Sequence, residues 1–84
     1  MSAKQVLAEA RKTAKKVGGY PEAIEVGKYR LEGFTLQAIA EHKKQSKPWI
    51  YKLENAFKCL LSEDACKEFE QLVEEARKQR GSIS

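Results

Sequence analysis

Two cysteines, two prolines and a single histidine are all that this 84-residue chain has of the residues that staple, break or switch a fold. Cys59 and Cys66 stand in a C-x6-C spacing with His42 far upstream, which is not a zinc-ligand pattern, so no structural metal is expected. Both cysteines sit among apolar residues, and they are read as small core side chains rather than as a disulfide. No apolar run approaches the roughly 18 residues that a membrane span needs. The opening MSAKQVLAEARKTAKK lacks the apolar block of a secretory signal, so the expected location is the cytoplasm. A glycine-rich phosphate loop is absent, and spacing sets no serine or cysteine nucleophile beside His42. Carboxylate pairs such as Glu74-Glu75 fall on a solvated helix and not in a cleft. The expectation is a protein without catalytic residues or cofactor.

What is present fits one soluble domain, 42% apolar and 33% charged. At this length a chain buries only about 60% of its unfolded surface, so its core is small. The net charge of +4 is unevenly spread. Residues 1–58 carry 12 Lys+Arg against 6 Asp+Glu, or +6, and residues 59–84 carry 4 against 6, or −2. A basic body with an acidic end suits nucleic acid on one face and a protein contact elsewhere.

No alternating apolar-polar stretch suggests a strand, and the punctuation marks five helices, an all-α bundle. The first spans 3–17, opened by a Ser2–Gln5 capping box and closed by Gly18-Gly19, with Val6, Leu7, Ala10, Ala14 and Val17 on its packing face. The second spans 21–32, from Pro21 to a stop at Gly33, packing through Ile24, Gly27 and Leu31. Gly27 costs it roughly 1 kcal/mol relative to alanine, which points to a close helix contact there. Tyr20, Tyr29 and Phe34 read as core or loop anchors.

The third helix spans 36–43 behind Thr35, with Leu36, Ile39 and Ala40 inward. The fourth begins at Ser46, tolerates Pro48 in its first turn, and is expected to bury Trp49, Ile50, Leu53, Ala56, Phe57 and Leu60. The fifth spans about 63–80, with Ser62 as its cap and Glu63 and Asp64 in the first turn. Arg77, Lys78 and Arg80 lie in its last turn, and Gly81 follows. Its stripe is Ala65, Cys66, Phe69, Leu72, Val73 and Ala76.

Residues 35–58, TLQAIAEHKKQSKPWIYKLENAFK, carry the functional signal. A short helix with Ile39-Ala40 inward, a tight turn, and a second helix held by Ile50 and Leu53 form a helix-turn-helix pattern. The second helix then turns Lys47, Pro48, Tyr51, Lys52, Asn55 and Lys58 outward. A major groove admits one α-helix, where lysine donates to guanine or pairs with phosphate and asparagine makes a bidentate contact to adenine. Tyr51 suits a phosphate or a thymine methyl. Thr35, Gln37 and Ser46 stand at helix starts, which favour phosphate, and Lys43 and Lys44 add charge in the turn. The expected DNA-contacting set is Gln37, Lys43, Lys44, Ser46, Lys47, Pro48, Tyr51, Lys52 and Asn55.

The run IAEHKKQSKPWIYKLENAFKCL resembles the helix-turn-helix of the ParB/KorB group of partition proteins. Ile39, Ala40 and Glu41 match its opening, Ser46 and Lys47 its turn, Trp49-Ile50 its aromatic pair, and Leu53 its end. LEGFTL at 31–36 and LLSEDACKEF at 60–69 are similar in layout, so the likeness covers about half the chain. Where the group carries a turn glycine this chain has Lys44, which must then take a positive φ, and Lys43 replaces the apolar residue before it. The group's nucleotide-binding and long dimerisation domains do not fit in this length. The resemblance therefore implies the DNA-binding fold and not partition activity.

The expectation is a sequence-specific binder of double-stranded DNA, a small transcriptional regulator (a repressor) of plasmid or phage type, nucleoid-associated when bound. It is expected to act as a homodimer that pairs through its C-terminal helix, since one recognition helix reads only a few base pairs. Two alternatives compete: a helical protein-interaction adaptor whose lysines only solubilise it, and the DNA-binding component of a nucleoprotein assembly for partition or phage packaging.

Overall fold

Local chemistry starts and stops each helix. In the computed structural model, which describes residues 2–81 with side chains through Gln79, α1 runs Ala3–Val17, α2 Pro21–Leu31, α3 Leu36–Lys43, α4 Lys47–Cys59 and α5 Glu63–Gly81. These bounds lie within a residue of those that caps and glycines imply. The fold is an all-α bundle, with no strand among the described residues. No helix there is long and apolar enough to cross a membrane. The expected part of Arg80 lies outside the described side chains, and Gly81, expected to follow α5, is its last helical residue.

The capping box of α1 is formed in both directions: Gln5 N donates to Ser2 Oγ, and Ser2 N donates to Gln5 Oε1. Thr35 Oγ1 accepts from Ala38 N at 3.1 Å and Ser46 Oγ from Trp49 N at 3.4 Å. Ser62 Oγ caps α5 by accepting from Ala65 N at 3.2 Å. A long-range partner completes that cap, because Glu9 Oε2 on α1 accepts from both Ser62 N and Ser62 Oγ.

Two apolar clusters hold the helices together. Val6, Ala10 and Ala14 of α1 meet Ala23 and Leu31 of α2, Phe57 of α4, Leu60 just beyond it, and Phe69 and Val73 of α5. Val26 of α2, Ile39 and Ala40 of α3 and Ile50 of α4 form the second, flanked by Tyr29, Phe34, Leu36 and Leu53. α2 contributes to both and is the spine of the bundle. At Gly27 it passes so close to α4 that a Cβ there would overlap the ring of Phe57. From the stripe of α5, Ala65, Phe69 and Val73 are buried and Cys66, Leu72 and Ala76 half-buried, with the Phe69 ring tilted against Phe57 at 4.9 Å, centroid to centroid.

Three apolar expectations are corrected. Trp49 is not core but 45% exposed, because it precedes the fully buried Ile50 by one residue and is therefore turned about 100° off the stripe. Cys59, two residues past the buried Phe57, faces solvent, and Cys66 is half-buried; both thiols are free. Val17 is 54% exposed, since its neighbours Tyr20, Ala56, Cys59 and Leu60 cover it on one side only as a shallow groove. Tyr20 is itself about half exposed, in a left-handed conformation (φ 41°) between α1 and α2. Tyr29 and Phe34 do anchor the end of α2, edge to face at 5.7 Å.

Candidate nucleic-acid interface

Lys44 makes the turn between α3 and α4. Its φ of 56° and ψ of 43° place it in the left-handed region, as the missing glycine demanded. Lys44 N donates back to Glu41 and Gln45 N to Ala40, so two of the carbonyls in the last turn of α3 are satisfied. Ser46 then caps α4 and Pro48 occupies its first turn. Ala40, 5% exposed, packs with Ile39, Ile50 and Val26 where α2, α3 and α4 converge.

On this seat α4 turns Lys47, Pro48, Trp49, Tyr51, Lys52 and Asn55 to solvent. Among the described residues, no ion pair or hydrogen bond ties the side chains of Lys44, Lys47, Tyr51, Lys52 or Asn55 to a neighbour. Trp49 joins this surface from its other edge, and sequence reasoning missed it. The signal was its rotation: Trp49 lies about 100° round the helix from Ile50, off the arc that Ile50, Glu54 and Phe57 bury.

Two lysines expected outside are committed within the molecule. Lys43 Nζ lies 2.8 Å from Glu25 Oε1 of α2, its side chain only 15% exposed. It braces α3 against α2 instead of standing in the turn. Lys58 is drawn inward by Glu54 Oε1 at 3.8 Å and Glu70 Oε1 at 3.4 Å. Glu54 is the buried charge that the apolar pattern hid, 5% exposed on the core side of α4. Arg30 of α2 answers it: Nε donates to Glu54 Oε2 at 2.5 Å while a terminal nitrogen donates to the Phe34 carbonyl at 2.9 Å. Arg30, Glu54, Lys58 and Glu70 thus link α2, α4 and α5 in one chain of charge that fixes the rotation of α4.

The helix starts are less available to phosphate than their sequence suggests. Ser46 Oγ accepts from Trp49 N, and Pro48 has no amide hydrogen, so two first-turn donors of α4 are removed. Gln37 is exposed on α3, its amide donating to Glu41 at 3.1 Å. His42 is exposed, with Nε2 3.4 Å from the Tyr29 hydroxyl, and borders a small apolar pocket with Tyr29, Phe34, Ala38 and Ile39. Comparison with family models, curated proteins and solved structures finds no match to this chain.

Proposed function

We propose that this domain binds double-stranded DNA sequence-specifically, laying α4 in the major groove. One observation carries the reading. Lys43, closing α3, and Lys58, near the end of α4, are neutralised within the molecule, while Lys44, Lys47, Lys52, Tyr51 and Asn55 between them are left unpaired and exposed. Selective pairing of this kind suits a surface reserved for an outside anion. Lys44 and Lys47 supply phosphate contacts, Lys52 and Asn55 read base edges, and Tyr51 and Trp49 pack against sugar or thymine methyl at the groove walls. The biological role we propose is transcriptional regulation by a homodimer on two half-sites, consistent with how little surface one module buries. A protein-interaction adaptor is the second reading, favoured by the apolar groove of Val17, Tyr20, Ala56, Cys59 and Leu60.

The only tryptophan in the chain lies at the proposed interface and reports on it directly. Titrating duplex DNA drawn from a random pool at low salt should change Trp49 emission, and repeated selection should converge on a preferred sequence. Replacing Lys47, Lys52 and Asn55 together with alanine should abolish the preference, each good bidentate contact being worth about 1–3 kcal/mol of discrimination. Undiminished specific affinity in that variant would remove α4 as the reader. Absence of duplex binding at low salt would leave the adaptor reading.

A further inference from the structure

The most concentrated unpaired charge on the molecule is on α1, outside the helix-turn-helix. Lys4, Arg11, Lys12, Lys15 and Lys16 are all exposed, and none makes an ion pair among the described residues. The helix has a single acid, Glu9, and its carboxylate is occupied by Ser62. Val6, Ala10 and Ala14 face the core, so the five cations share the opposite arc with Ala8 among them. From Lys4 to Lys16 they extend about 18 Å along the helix.

This arrangement works against the helix that carries it. Arg11 with Lys15 and Lys12 with Lys16 are like charges four apart, each pair destabilising the helix. The macrodipole favours cations in the last turn but not Lys4 in the first, where no acid is present. α5 is as highly charged and solves the problem internally, pairing Lys67 with Glu63 and both Arg77 and Lys78 with Glu74. α1 retains the repulsion, as a surface does when an external anion relieves it.

We propose that the outward face of α1 is a second nucleic-acid contact, which follows the phosphate backbone and is blind to sequence. Protein–DNA interfaces are strongly positive and polar, as this face is. A protein interface core or an inserted amphipathic helix is built on large apolar residues, and between the cations there is only Ala8, which favours a backbone of phosphates as the anion. The shallow groove of Val17, Tyr20, Ala56, Cys59 and Leu60 joins the C-terminal end of α1 to that of α4. The C-terminal ends of the two helices therefore lie close together. The inference rests on the DNA-binding reading for its ligand and on α1 alone for its site.

The test combines two variants with one footprint. Replacing Lys4, Arg11, Lys12 and Lys15 with alanine should leave the circular dichroism and melting of the protein unchanged or improved. It should weaken binding to preferred and random duplexes alike by about tenfold or more, and flatten the salt dependence by about 0.9 in log–log slope per lost phosphate contact. The Lys47/Lys52/Asn55 variant should lose preference instead. On the unmodified protein, duplex DNA should protect Lys4, Lys12, Lys15 and Lys16 from acetylation but not Lys67 or Lys78 of α5, which are 74% and 73% exposed. Parent-like affinity and slope in the α1 variant, or unprotected α1 lysines, overturn the inference and leave the α4 reading intact. Weakened binding by the α1 variant while the α4 variant keeps its preference upholds it and removes α4. Protection by phosphatidylserine vesicles but not by duplex reassigns the face to membranes and overturns it. No duplex binding by the parent overturns both.

Discussion

Gly27→Ala is the most exacting perturbation of this fold. Two effects oppose each other. Alanine in place of glycine inside a helix gains about 1 kcal/mol. Against this, the new methyl group overlaps the Phe57 ring, which is fully buried and held from another side by Phe69 at 4.9 Å. The obstacle is a rigid ring in a closed core and not the end of a flexible chain. The overlap should therefore cost the upper part of the usual 1–3 kcal/mol for overpacking. The net expectation is a loss of about 1–2 kcal/mol, which lowers the melting temperature of a domain this size by roughly 5–15 °C. Phe57→Leu destabilises on its own but removes the obstacle, so Gly27→Ala in that background should cost less or become favourable. A coupling of about 1 kcal/mol or more in the cycle is expected. Thermal unfolding of the four proteins by circular dichroism gives it. An alanine variant as stable as the parent, or two strictly additive changes, would refute the close crossing of α2 and α4.

Lys44→Gly should raise the melting temperature, because glycine removes a left-handed strain of about 1–2 kcal/mol, while losing one cation weakens duplex binding; a lower melting temperature would contradict the turn geometry. Glu54→Ala strands the part-buried Arg30 and should cost about 2–4 kcal/mol in urea unfolding, with Arg30→Met in the same background costing little more. Ala40→Leu should cost about 1–3 kcal/mol where α2, α3 and α4 converge, and parent-like melting would count against the helix-turn-helix.

Most of the helical framework was legible because its instructions are local. Ser2 with Gln5, Gly18-Gly19, Pro21, Thr35, Ser46 and Ser62 each act within a few residues, and each lies where the helix it starts or stops requires. Lys44 is the same case: a residue standing in for a glycine had one conformation open to it. The site was less legible, because reading a charged residue as outward is a statement about average partners. Glu54 follows Ile50 by four and precedes Phe57 by three, squarely on the buried arc, and only Arg30, 24 residues earlier, makes that position tolerable. Lys43 was misplaced for the same reason, its partner Glu25 being distant in sequence, and Lys58 because both Glu54, itself misread, and the distant Glu70 draw it in. Trp49 was assigned by hydrophobicity where rotation about the helix axis should have decided.

The Glu9–Ser62 contact reaches further than its two hydrogen bonds. It joins positions 53 apart, and the same two helices meet in the core through Val6, Ala10, Phe69 and Val73. Neither α1 nor α5 is an appendage to a self-sufficient middle: α5 lacks its complete cap until α1 has docked, and the apolar face of α1, seated on α2, is covered on its remaining side by Phe69 and Val73 of α5. The bundle is closed by its first and last helices, like a strap fastened to its own beginning. Amide protons in α1 and α5 therefore belong to one cooperative unit and exchange together, and shortening the chain from either side loosens both.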